Sequence, residues 1–181
     1  MNRNRTAISP TGFSSIPPIA VHVVGKHSGF TNKALHNNDK MFKVGPWEEA
    51  RGQSMRLNVN VDSHHLIIPE NGVYYVYSQV YFRDERTPTE RQNESVHEFL
   101  HYTVLDSTGN LVHHRNLMKS GRTKIGGEEN GYYFSSHHSG LFELRKNDKI
   151  YMKVFLQHEQ IKVGRDHEET FMGMYRIGEL H

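Results

Sequence analysis

Gly72-Val73-Tyr74-Tyr75-Val76-Tyr77-Ser78-Gln79-Val80-Tyr81-Phe82 is the stretch that decides the fold. From Val73 onward its ten residues hold four tyrosines, three valines and a phenylalanine. Aromatic and β-branched side chains suit a pleated surface, so this run is read as a strand. Alternation then puts Tyr75, Tyr77 and Gln79 on one face and Tyr74, Val76, Ser78 and Val80 on the other. One face can pack against a partner sheet. The second also carries large aromatics, which water disfavours, so a loop or another chain must cover it.

Working outward, the same grammar of short strands and turns repeats. Ile19 to Val24 is β-branched and stops at Gly25, a strand signal. Leu57, Val59 and Val61 alternate with polar residues, Leu66 to Ile68 follows, and Asn71-Gly72 reads as a hairpin turn. Downstream, 111–118, 132–144, 150–156 and 170–177 are strand candidates. Asp106 to Asn110, Gly126 to Gly131 and Lys146-Asn147-Asp148 are turns between them. No long helix and no 20–50-residue repeat interrupts the pattern. The expected class is therefore all-β, an antiparallel sandwich or barrel.

Residues 1–18 read as a polar N-terminal tail closed by Pro17-Pro18, and 19–181 as one domain. Lys26 to Gly45 is a long polar loop, and Arg83 to Ser95 a charged one. The chain has 181 residues, 22 basic against 20 acidic, with the signs interspersed. That balance gives no electrostatic case for nucleic acid. There are no cysteines and fourteen histidines. Mean hydropathy is −0.71 and apolar runs are short, so neither a transmembrane segment nor a signal peptide is expected.

His97-Glu98-Phe99-Leu100-His101 spells the zincin pattern H-E-x-x-H. On a helix the two histidines lie one turn apart, about 6 Å in rise, and can share zinc. On a strand they are about 13 Å apart and cannot. The segment fits helical spacing, yet it is rich in β-branched and aromatic residues, and Ser107 stands where a third histidine would continue the motif. The adjacent pairs His64-His65, His113-His114 and His137-His138 point to opposite faces if extended, which makes each a poor chelate. No catalytic residue, metal site or cofactor is expected. A sequon at Asn93-Glu94-Ser95 marks a candidate glycosylation site.

Six motifs in register resemble the tumour necrosis factor family. They are Ala20-Val21-His22-Val23-Val24-Gly25, Trp47-Glu48, Ile67-Ile68-Pro69-Glu70-Asn71 with the aromatic strand, Ser139-Gly140-Leu141-Phe142-Glu143-Leu144, Asn147-Asp148-Lys149-Ile150, and Asp166-His167-Glu168 with Phe171-Met172-Gly173. The match runs from about residue 19 to 178. It implies a jelly-roll sandwich that trimerises about a three-fold axis, with His22, Tyr75, Tyr77, His137 and Phe171 at the trimer interface. It also implies receptor binding through loops, at Arg83, Glu85, Arg86, Leu105, Asp106, Leu111, Asp166, His167 and Glu168. The partners would be further copies of the chain and cysteine-rich receptors of the tumour necrosis factor receptor superfamily; the alternative is another trimeric jelly-roll binding module, of the complement globular-head or carbohydrate-binding kind. The setting would be extracellular, with the domain secreted or shed from a single-pass type II membrane precursor. Where a family member holds an axial zinc through a cysteine, this chain has Gly121-Arg122-Thr123-Lys124 and supplies none.

Overall fold

The aromatic strand, β6 (Gly72–Asp84), is the centre of the molecule. It alternates strictly between fully buried and half-buried residues along its 13 positions. The computed structural model describes residues 17–26, 40–48, 54–92, 96–107, 113–125, 133–157, 161–164 and 169–180, without the side chains of 92, 96, 97, 113 and 125. Before β6 come β1 (Ala20–Val24), β2 (Met41–Lys43), β3 (Met55–Leu57), β4 (Asn60–Val61) and β5 (His65–Ile67). After it come a five-residue helix α1 (Pro88–Gln92), then β7 (Val96–Ser107), β8 (His113–Ile125) and β9 (Tyr133–Leu144). The chain closes with β10 (Lys149–Leu156), β11 (Ile161–Val163) and β12 (Phe171–Gly178).

These strands form two antiparallel six-stranded sheets. In the first, β9 pairs with the whole of β6, whose other edge takes β12 and β11; β1 and then β3 lie beyond β12. In the second, β10 is flanked by β7 and β8 on one side and by β5, β4 and β2 on the other. The core fills the gap between the sheets. Val21, Val23, Tyr74, Val76, Val80, Phe82, Met172 and Met174 from the first meet Leu66, Phe99, Ile150, Met152 and Val154 from the second. The sandwich expected from the strand pattern is what the chain forms.

Several local expectations need correction. Leu57 to Val61 is not one strand. Asn58 takes a left-handed backbone (φ 56), which ends β3 in the first sheet and sends β4 into the second. Asn71-Gly72 does not turn a hairpin either: β5 and β6 belong to different sheets, so the turn crosses the sandwich. Asn147, also left-handed (φ 70), makes the matching crossing between β9 and β10. The charged loop after β6 contains α1, capped by Thr87: its backbone N–H and hydroxyl donate to Glu90 Oε2 at 2.7 and 2.8 Å. His97 and His101 lie on β7, an extended strand, so the zinc-binding spacing of a helix is lost.

Leu105 is the largest change. Strand β7 runs on to Ser107, past the start of the turn expected at Asp106 to Asn110, and holds Leu105 within it. Leu105 is therefore a core residue, only 6% exposed, and not a loop-tip contact. Leu105→Ala should lower unfolding stability by about 2–5 kcal/mol, as other leucine truncations in cores do. Chemical denaturation measures it, and a change within about 0.5 kcal/mol would contradict the burial.

Candidate functional site

The outer face of the first sheet is the candidate site. Strand register places its residues. Across β12 and β1, Tyr77 stands opposite Gly173 and Gly173 opposite His22, so all three point outward in one row. Gly173 supplies a gap. A Cβ there would come within 2.3 Å of the Tyr77 hydroxyl oxygen and 2.5 Å of the Val21 carbonyl oxygen. The Tyr77 ring thus lies across β12 and reaches His22, sharing a 2.9 Å hydrogen bond with its Nδ1. His22 and Phe171 rings sit 5.3 Å apart, and Tyr77 and Phe171 6.3 Å. Tyr75 continues the cluster, 6.1 Å from Tyr77 and 5.2 Å from Tyr175. These spacings are those of offset and edge-to-face aromatic pairs. Partial burial lowers the pKa of His22. Burial first, then the neighbouring Tyr175 and Tyr75, raises that of Tyr77. Both shifts favour the uncharged forms of His22 and Tyr77.

Further apolar side chains lie around this cluster, interspersed with polar ones such as Ser135, His137 and Ser139. The large hydrophobic side chains exposed among the described residues are Met55, Leu57, Tyr133, Leu141, Tyr175 and Ile177. The first five face outward from this one sheet: Met55 and Leu57 pair with His22 and Ala20, Tyr133 with Arg83, and Leu141 with Tyr75. Ile177 sits in the bulge at the end of β12. Exposed leucines scattered singly would mean nothing, but five of these six on one sheet face, around an aromatic cluster, mark a candidate interaction surface. His137 lies on the same face, exposed, in register with Gln79. All five residues expected at the trimer interface therefore share one face. Sequence reasoning missed Tyr175, Leu141, Met55 and Leu57. Tyr175 was the legible one, being two residues from Gly173 and hence on its side of the strand.

Directly behind this face lies a polar circuit, buried except at Ser120 and Ser136, that sequence reasoning also missed. Ser78 Oγ bonds His101 Nε2 (3.2 Å), and His101 Nδ1 bonds Ser136 Oγ (3.1 Å). Ser136 bonds Ser120 (2.6 Å), and Ser120 bonds His138 Nε2 (3.0 Å). His138 Nδ1 bonds Thr103 Oγ1 (3.0 Å), which returns to Ser78 (2.9 Å). The two imidazoles stack in parallel, 3.9 Å between centroids. Four hydroxyls and two neutral imidazoles can each donate once and accept once, which satisfies every group. Burial above all, then the neighbouring histidine charges, pushes His101 well below its ordinary pKa. Burial, then His137, lowers His138 to about 4. His138 and His137 point to opposite sides of β9, as expected of an adjacent pair.

The residues expected to bind a receptor divide between the two ends of the sandwich. Arg83, where β6 meets β11, is ion-paired with Glu169, and Glu85 is exposed beside it. Arg86 is not available: it is 4% exposed and grips Asp84 through Nε and Nη2, at 2.8 and 2.6 Å. Burial opposes the Asp84 charge, but the Arg86 guanidinium and N–H outweigh it and hold the carboxyl below its ordinary value. Asp106 is at the opposite end, 3.6 Å from His114 and in register with Lys149. Leu111, Asp166, His167, Glu168 and Asn93 lie outside the described residues. Among the described residues no group of three or more histidine, aspartate or glutamate side chains is arranged to hold a metal.

Comparison with known proteins follows the same lines. Residues 46–177 match the family model described as TNF (Tumour Necrosis Factor) family. The chain is 30% identical over 174 residues to tumor necrosis factor ligand superfamily member 10 of Mus musculus, covering 88% of this chain and 57% of that protein. It is 27% identical over 157 residues to tumor necrosis factor of Tursiops truncatus, covering 81% and 65%. The chain thus spans roughly three-fifths of the length of these relatives. The crystal structure of murine APRIL superposes with a TM-score of 0.62 at 18% identity, over 88% of this chain and 99% of that one, a likeness of fold.

Proposed function

Because the chain belongs to the tumour necrosis factor family, we propose that it is a cytokine domain that trimerises through the aromatic face of its first sheet and clusters receptors of the tumour necrosis factor receptor superfamily. One observation carries this reading. The sandwich already has a complete core on the inner side of β6, yet the outer side holds Tyr75, Tyr77, Phe171, Tyr175 and Leu141 with no chain segment packed over them among the described residues. Copies of the chain related by a three-fold axis are the proposed cover. Each cleft between two protomers would then take one elongated receptor, and three bound receptors would be held together. The output is proximity, a multivalency effect with no reaction. Such a cleft would run the length of the sandwich, so the Arg83–Glu85 end and the Asp106 end can meet one receptor at two heights. The domain would act outside the cell, on a type II membrane precursor or shed from it.

Light scattering behind size exclusion tests the assembly directly, and a monomeric mass at micromolar concentration would defeat it. Binding to cysteine-rich receptor ectodomains tests the partner class. Exposed charges mainly set association rate and its salt dependence. Glu85→Lys should therefore slow receptor association while the dissociation rate and the trimer mass stay as in the parent. An unaltered association rate at two salt concentrations places the receptor elsewhere.

A further inference from the structure

The outer face of the second sheet, away from the aromatic one, carries a line of amines. Register sets them side by side: Lys43 of β2 is opposite Lys153 of β10, Lys153 is opposite Tyr102 of β7, and Tyr102 is opposite Lys119 of β8. With about 4.8 Å between strands, the row spans about 14 Å across four strands. Each ammonium rests on an aromatic ring. Lys43 Nζ lies 4.3 Å from the Tyr151 centroid, and Lys153 and Lys119 lie 4.9 and 5.4 Å from that of Tyr102. Lys43 also donates to His65 Nε2 at 3.2 Å. Among the described residues no carboxylate stands in the row. The nearby acids are engaged or distant: Asp62 holds His65, Asp106 pairs with His114, and Glu98 is two residue pairs further along β7 than Tyr102, beyond Leu100.

Like charges directly opposite each other destabilise a sheet pair. Lys43 and Lys153 are such a pair, and partial burial lowers the Lys153 pKa besides. Register sets the three lysine positions along a line, with Lys153 and Lys119 over one ring and Lys43 over the next, a spread wider than a lone phosphate needs. They fit an extended polymer with anions repeated along its length. The adjoining row, Met41, Phe155 and Leu100, is apolar and half-buried, a surface for the uncharged faces of sugar rings. We propose that the Lys43–Lys153–Lys119 row docks a linear sulfated polysaccharide, lying across the strands on the face opposite the aromatic cluster. The polysaccharide is chosen over nucleic acid because it belongs to the extracellular setting of the function proposed above, on which this choice rests. Docking there leaves the aromatic face free for self-association.

Binding of the intact protein to immobilised heparin at about 0.15 M salt tests it. The parent should bind. Lys43→Ala/Lys119→Ala/Lys153→Ala should weaken binding about tenfold or more and flatten its salt dependence, since ion contacts made to a polyanion release counterions. Replacing the same three lysines by arginine should keep it, and Lys26→Ala/Lys146→Ala, at exposed positions off the row, should bind like the parent. Lys119→Glu, on the edge strand β8, reads the same loss if the triple alanine variant fails to fold. A parent that does not bind, or a triple alanine variant that binds like it, overturns the proposal. Equal competition by single-stranded DNA of matched charge overturns the polysaccharide assignment. Mass is measured on the same samples. A monomeric parent that still loses heparin binding with the row defeats the trimer and leaves the row standing.

Discussion

Tyr77→Ala should produce a folded protein of monomeric mass. The ring it removes is the hub of the aromatic face: it lies over Gly173, hydrogen-bonds His22 and contacts Tyr75 and Phe171. Its strand neighbours Val76 and Ser78 point inward, so the core is untouched. Truncating an aromatic anchor at the centre of an interface costs about 2–4 kcal/mol, and in the proposed three-fold assembly that cost would apply three times, about 6–12 kcal/mol per trimer. A loss of that size moves the assembly out of the micromolar range, because each 1.4 kcal/mol is about tenfold. Light scattering reads the mass and circular dichroism the fold. A variant with the parent's mass and melting temperature would show that this face is not what holds the copies together. Gly173→Ala should weaken assembly as well, by a different route. Its methyl group would occupy the place of the Tyr77 hydroxyl and press on the Val21 carbonyl, displacing the ring without removing it.

Acid should destabilise the protein well above the pH at which carboxylates titrate. His138 has its pKa lowered from 6.5 to about 4 in the fold, and burial holds His101 well below its ordinary value too. Between those values the unfolded chain takes up protons that the native circuit refuses. Stability is full above pH 6.5 and falls as pH drops toward 4. His138 alone contributes about 3 kcal/mol to that fall, and His101 adds to it. Both cannot charge in place, since parallel rings 3.9 Å apart would repel. Asp62 and Asp84, whose pKa values lie below 3.8, act in a separate window: their stabilisation is lost only at still lower pH. Denaturant midpoints measured from pH 8 to pH 4 should therefore decline through the histidine range. His101→Gln/His138→Gln should flatten that decline. Parallel profiles for parent and variant would remove the circuit as the cause.

The sequence was most informative where one strand carries its own pattern. The two faces of β6 follow from alternation alone, and so do the outward Tyr75 and Tyr77 and the inward Tyr74 and Val76. The aromatic cluster was legible in part, because His22, Phe171 and the tyrosines each stand in a motif that resembles the family's. What stayed hidden depends on partners far along the chain. The circuit joins Ser78, His101, Ser120 and His138, which meet only once the two sheets pack. Nothing local distinguishes those histidines from solvated ones. Leu105 was misplaced because the end of β7 is fixed by its pairing with β10 and β8 and not by turn residues. The break at Asn58 was concealed by an alternation that continues across it, although the strand does not.

The first and last strands lie side by side and antiparallel, Ala20 opposite Tyr175, with the Arg176 N–H bonded to the Ile19 carbonyl. The chain therefore enters and leaves the sandwich at the same end. Three copies assembled around an axis would present all their entry and exit points on one side, as a ring of neighbouring ends. A single gene encoding three tandem copies could then fold into the whole assembly, with flexible connectors crossing only that side. In such a fusion one protomer can be altered while its two neighbours stay intact, so the three clefts become separately addressable.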